Sequence, residues 1–147
     1  MNYRREAEEV LNNYKDLIHA VENLKEQIEI KTEQMEYIKG NIITDMPKGG
    51  KNDSEDILLN HIYEKSEIEK NYKLTKKTIN HIKKVIEHIK KHYEVEGRIL
   101  EFLYIENKKM SEIEKLEGIS NRHLYRLKNR AVKIFAVKYF GIRVIQN

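Results

Sequence analysis

The sequence predicts an all-α protein: a long antiparallel coiled-coil helical hairpin followed by a C-terminal helix-turn-helix module. Three observations predict it. Apolar residues recur at spacings of three and four along two long stretches that hold almost no helix breaker. Charged residues make up 35% of the chain and hydrophobic ones 39%, with one proline and no tryptophan, a mixture that suits narrow helical seams better than broad sheet faces. A glycine-centred break at Gly118 then separates two shorter helical patterns, the second rich in arginine. The 147 residues divide accordingly into a hairpin over 1–93, with a loop at 41–53, and a helix-turn-helix DNA-binding domain over 94–147.

The first helix is expected to run unbroken from Tyr3 to Ile42 on the seam Tyr3, Ala7, Val10, Tyr14, Leu17, Val21, Leu24, Ile28, Met35, Ile38 and Ile42, which only Lys31 interrupts. At about 1.5 Å per residue it would be roughly 55 Å long, and it needs a partner because a lone seam leaves its apolar surface in water. Gly40 begins a break, and Thr44–Asp45–Met46–Pro47–Lys48–Gly49–Gly50–Lys51 reads as a turn or loop. Asp53 or Ser54 then caps a second helix reaching Tyr93, with the seam Leu58, His61, Lys65, Ile68, Tyr72, Thr75, Ile79, Ile82, Ile86, Ile89 and Tyr93. His61 on that seam reads as a packed or register-setting residue. The hairpin predicts that Glu6, Glu8 and Glu9 meet Lys83, Lys84, Lys90 and Lys91; whether the helices pair within one chain or between two is open.

A third helix, Glu96–Asn107, carries the dense apolar cluster Ile99, Leu100, Phe102, Leu103 and Ile105, with Asn107 as its stop. In the next helix Ile113 and Leu116 are the apolar positions. Gly118 ends it in a left-handed conformation, Ile119 plugs the corner, and Ser120 caps a helix running to about Phe140. Leu124 and Leu127 share its inner face. The tail Ile134–Ile145 is expected to complete the small core or to form an oligomer face.

Charge points to the partner. Residues 70–92 hold eight basic side chains and one acidic, while residues 118–147 hold seven basic and none acidic; the acidic first helix is expected to neutralise the former block, leaving the latter for nucleic acid. Ser120, Asn121, Arg122, Tyr125, Arg126, Lys128, Asn129, Arg130 and Lys133 are the candidate DNA-binding residues. Asn121, Arg122 and Arg126 are read as base contacts, and Lys128, Arg130 and Lys133 as phosphate anchors. There is no nucleophile–base pair, glycine-rich phosphate loop or paired carboxylate, so no enzyme, catalytic residue or cofactor is expected. His88 and His92 share a helical face but lack a third ligand at the right spacing, and no metal site is expected. The absence of cysteine, of a signal-peptide core and of a long apolar run gives a cytoplasmic protein away from membranes as the expectation.

Arg98–Ile99–Leu100–Glu101–Phe102–Leu103–Tyr104–Ile105, Met110–Ser111–Glu112–Ile113, Gly118–Ile119–Ser120 and Leu124–Tyr125–Arg126 together resemble the promoter-reading region 4 of bacterial sigma factors. With the helical arm and the Thr44–Asp45–Met46–Pro47 loop, the whole resembles small phage regulators of the ArpU/RinA kind. That resemblance implies a sequence-specific, sigma-like transcription regulator of phage or prophage late genes that reads double-stranded DNA in the major groove and contacts RNA polymerase. A homodimer through the arm or tail is a further expectation. Glu114 and Glu117 depart from the pattern, which has apolar residues there, so splayed helices or outward-snorkelling carboxylates are expected. The alternative is a coiled-coil assembly or adaptor protein with a packaging or antirepressor role, whose helix-turn-helix does not read DNA.

Overall fold

The computed structural model describes residues 2–44 and 53–146, and all its regular structure there is helical. The helices are α1 (Tyr3–Asn12), α2 (Tyr14–Thr44), α3 (Asp53–His92), α4 (Glu94–Leu100), α5 (Met110–Glu117), α6 (Asn121–Phe140) and a final short α7 (Arg143–Gln146). Most of the predicted 41–53 loop lies outside the described residues. Its first residues continue α2, because one glycine inside a helix costs only about 1 kcal/mol and Gly40 does not break the ladder. The chain forms two compact units, Met1–Ile18 with Thr78–Asn147, and His19–Lys77. They divide it differently from 1–93 and 94–147, because α1 and the last part of α3 supply core to the C-terminal helices.

In the His19–Lys77 unit the seams hold. Val21, Leu24, Ile28, Met35 and Ile38 of α2 and Leu58, Ile68 and Tyr72 of α3 are half-buried. The polar interruptions of the two seams meet: Lys31 Nζ lies 3.0 Å from His61 Nδ1 and also pairs with Glu64. Because an ammonium only donates, His61 accepts at Nδ1, and its proton sits on Nε2. The Lys31 bond holds the Glu64 carboxyl below its ordinary value. A single polar pairing of this kind costs stability but penalises any other helix register. Several apolar side chains lie off the seams in this unit, with Ile30, Tyr37, Leu59, Ile62 and Tyr63 all exposed.

Every fully buried described residue belongs to the other unit. Ala7, Leu11 and Tyr14 enter its core from the N-terminal stretch, Ile79, Ile82, Ile86 and Ile89 from α3, and Ala131, Val132, Phe135 and Ala136 from α6. The predicted unbroken first helix is interrupted at Asn13. Backbone bonds from Asn13 to Glu9 (3.0 Å) and from Leu17 to Asn13 (2.9 Å) carry the ladder across, and Leu11, which the heptad reading passed over, is buried beside Tyr14. The expected pairing of Glu6, Glu8 and Glu9 with the α3 lysines does not form. Helix α1 packs on α6 instead, with the Tyr3 and Phe140 rings 5.5 Å apart and Glu8 3.5 Å from Lys128, while Lys90 turns to Glu101 at 2.6 Å.

Tyr93 makes the corner between α3 and α4. Helix α4 then runs into a wide π turn over Glu101–Ile105, where the Glu106 N–H reaches the Glu101 carbonyl at 2.9 Å, and the stop at Asn107 is left-handed (φ 55°). Tyr104 is buried at that turn, and burial, with Glu8 nearby, pushes its phenol up to about 12. Ile99, Ile113 and Leu124 form a cluster lined by Val95, Phe102, Leu103, Met110, Ile119 and Leu127, so α4, α5 and α6 share one centre. Three expected packing residues are absent from it. Leu116 is 57% exposed, and Ile142 and Ile145 of the tail lie outside at 67% and 72%, because α1 already covers the end of α6.

Candidate nucleic-acid interface

Helices α5 and α6 join through three residues whose roles follow from their chemistry. Gly118 takes φ 64° and ψ 37°, a left-handed conformation that a Cβ disfavours, and its N–H closes on the Glu114 carbonyl. Ile119 turns inward to the shared cluster. The Ser120 hydroxyl accepts the His123 N–H at 3.2 Å, capping α6. Ser120 is therefore occupied as a cap.

The carboxylates that seemed misplaced at α5 are partnered. Arg98 of α4 grips Glu117 with two parallel bonds, Nε to Oε1 at 3.0 Å and Nη2 to Oε2 at 3.1 Å, while its Nη1 donates to Glu94 at 3.1 Å. Glu114 accepts from Asn121 Nδ2 at 2.5 Å. Neither splaying nor snorkelling is needed, because the fork satisfies a side chain that is only 13% exposed. The same fork holds the Glu117 carboxyl below its ordinary value of 4.5. A carboxylate depressed in the folded state stabilises the fold above its unfolded pKa and loses that contribution as pH falls through the folded value. We expect Glu117→Gln to cost about 1–3 kcal/mol near neutral pH and to flatten the acid side of the stability–pH curve below about pH 4.5, read by chemical denaturation at stepped pH.

Along α6 the nine candidates separate into engaged and open groups. Lys128 is held by Glu8 at 3.5 Å, Arg130 by the buried Glu96 at 3.4 Å, and Asn129 Oδ1 accepts from Arg4 Nη2. Asn121 is tied to Glu114. Arg122, Arg126 and Lys133 are exposed and form no ion pair among the described residues, and Tyr125 is 49% exposed. With Asn129, the three cations follow spacings of four, three and four, which place them in one line on a single helix face about 16 Å long. No acidic residue lies anywhere on α6. Asn121 Nδ2 and Asn129 Oδ1 each have one partner within the fold, which leaves one N–H on the former and one lone pair on the latter for a base edge. Sequence reasoning missed Arg4, Glu8, Glu96 and the Arg98–Glu117 fork, whose partners are distant in the chain.

Elsewhere the His88 and His92 rings lie 4.6 Å apart, and no third His, Asp or Glu joins them in a metal-holding group among the described residues. Burial and the neighbouring Lys138 lower His88 from its ordinary value. No described helix is long and apolar enough to cross a membrane.

What the geometry defines is an all-α chain that presents an unneutralised cationic line on one capped helix. The chain belongs to the family described as a protein of unknown function (DUF1492), whose model matches residues 37–136, from the end of α2 through most of α6. Comparisons with the curated proteins and with the solved structures give no match.

Proposed function

We propose that this protein is a sequence-specific DNA-binding transcription regulator that lays α6 in the major groove of double-stranded DNA. The observation that carries the reading is the line of Arg122, Arg126 and Lys133: three cations left open along one face of a helix on which Lys128 and Arg130 are paired with carboxylates. A charge held by a carboxylate adds little to phosphate attraction, whereas an open guanidinium releases counterions and forms two bonds to a guanine edge. The left-handed Gly118 and the Ser120 cap supply the short turn of a helix-turn-helix. The likeness of residues 98–126 to sigma factor region 4, and of the chain to ArpU/RinA regulators, supports control of phage or prophage late genes and a contact with RNA polymerase. Selection of bound fragments from random DNA, followed by titration at two salt concentrations, tests the reading. Recovery of one motif bound more weakly at high salt is the expected result; no enrichment, or no salt dependence, overturns it.

A second reading has its own observation. Ile30, Tyr37, Leu59, Ile62 and Tyr63 are large apolar side chains exposed on the His19–Lys77 unit. They favour self-association through the arm, either in a regulator that reads two half-sites or in an assembly or adaptor protein that reads none.

A further inference from the structure

Helix α1 carries two charged residues against α6, and their effects on the basic face are opposite. Glu8 lies 3.5 Å from Lys128 and takes that cation out of use; the Lys128 side chain is only 24% exposed. Arg4 is exposed and bonds to Asn129 on the line that holds Arg122, Arg126 and Lys133. Its partner is a neutral amide, so the guanidinium keeps its full charge and most of its five donors. Because a guanidinium has no acceptor, the atom of Asn129 that faces it must be the oxygen, and the amide NH2 is left to face outward. Tyr3 against Phe140, together with Ala7 and Leu11 in the core, fixes α1 in this place.

We infer that α1 completes the DNA-facing surface: Arg4 stands in for Lys128 as a phosphate contact beside Asn129 and biases that residue toward donating, since one lone pair of its oxygen is taken and its NH2 is open. This rests on the DNA-binding reading above. The ligand class it adds is a backbone phosphate on the stretch of duplex covered by the second half of α6. Asn129 would then favour acceptors, such as a phosphate oxygen or the guanine O6 and N7 edge, over the paired donor and acceptor of adenine.

The test measures binding of the full chain to a mixed-sequence DNA duplex over a series of salt concentrations, with melting curves to check that each variant is folded. Arg4→Ala should make the log–log slope shallower by about one, and Arg4→Lys should restore it. Glu8→Gln should make the slope steeper by up to about one, because it releases Lys128. If Arg126→Ala makes the slope shallower while Arg4→Ala and Glu8→Gln both match the parent, α1 is only a packing element and the inference fails alone. If the parent chain shows no salt-dependent binding, the DNA reading fails and takes the inference with it.

Discussion

Replacing both Arg122 and Arg126 with alanine should weaken binding to the selected DNA motif roughly 30-fold or more, since each arginine bonded to a base edge is worth about 1–3 kcal/mol. Stability should move little. Both side chains are exposed and unpaired among the described residues, and surface changes of that kind usually stay within about 0.5 kcal/mol. The contrast with their neighbours makes the experiment informative. Arg130→Ala removes the partner of Glu96, which is 8% exposed, so the fold should weaken in that variant even at unchanged DNA affinity. Lys128→Ala removes a cation already paired with Glu8, so its effect on the salt slope should be smaller than that of Arg126→Ala. A selection on mixed-sequence DNA resolves base contact from phosphate contact. Loss of preference at one or two positions marks a base reader, whereas uniform weakening with a shallower salt slope marks a phosphate anchor. If the double variant keeps full activity in cells, the helix is not reading DNA, and the exposed apolar residues of the hairpin unit become the functional surface.

What the sequence could reveal follows the range over which each interaction is encoded. Most seam positions were legible, since helical periodicity is local, although the buried Leu11 and Val85 were passed over and Tyr93 at the seam's end is exposed; the left-handed Gly118 and the Ser120 cap were legible too. Lys31 and His61 each stood out as a polar break in an apolar seam; that they face each other needed the register, which the residues between them do not state. Charge was legible as block totals only. The acidic first helix and a basic helix do meet, yet the basic one is α6, because Tyr3, Ala7 and Leu11 drive α1 there and its charges follow. Apolar burial outweighs pairing of exposed ions, which is worth about 0–1 kcal/mol a pair, so totals cannot choose between two lysine-rich surfaces. The same limit hid the Arg98–Glu117 fork. Glu117 looked like a carboxylate in an apolar position, and its partner lies nineteen residues earlier with no local spacing to announce it.

Gly97→Ala should destabilise the fold by about 1–3 kcal/mol, whereas the same change at Gly40 should stabilise it by about 0.4–1 kcal/mol. A Cβ built on Gly97 falls 2.5 Å from the Lys90 Cα and 2.6 Å from its backbone nitrogen. Those atoms belong to the last turn of α3 and cannot rotate aside as a side-chain end would. At Gly40, inside α2, nothing lies within 4 Å of the added atom, so alanine brings only its better helix propensity. Thermal melts followed by helical circular dichroism should therefore move in opposite directions. Gly97→Ala should fall by several degrees, at roughly 2–4 °C for each kcal/mol in a chain of this size. The cost at Gly97 also reaches the proposed DNA face. Helix α4 lies this close to α3 only because residue 97 lacks a side chain, and the next two residues are Arg98, which grips Glu117, and Ile99, which packs on Ile113 and Leu124. Pushing α4 outward shifts the support under both α5 and α6. Gly97→Ala should thus lose DNA affinity at temperatures where it is still folded, while Gly40→Ala keeps the parent's. Equal melting temperatures for the Gly97 variant and the parent would mean that α4 does not approach α3 as closely as 2.5 Å requires.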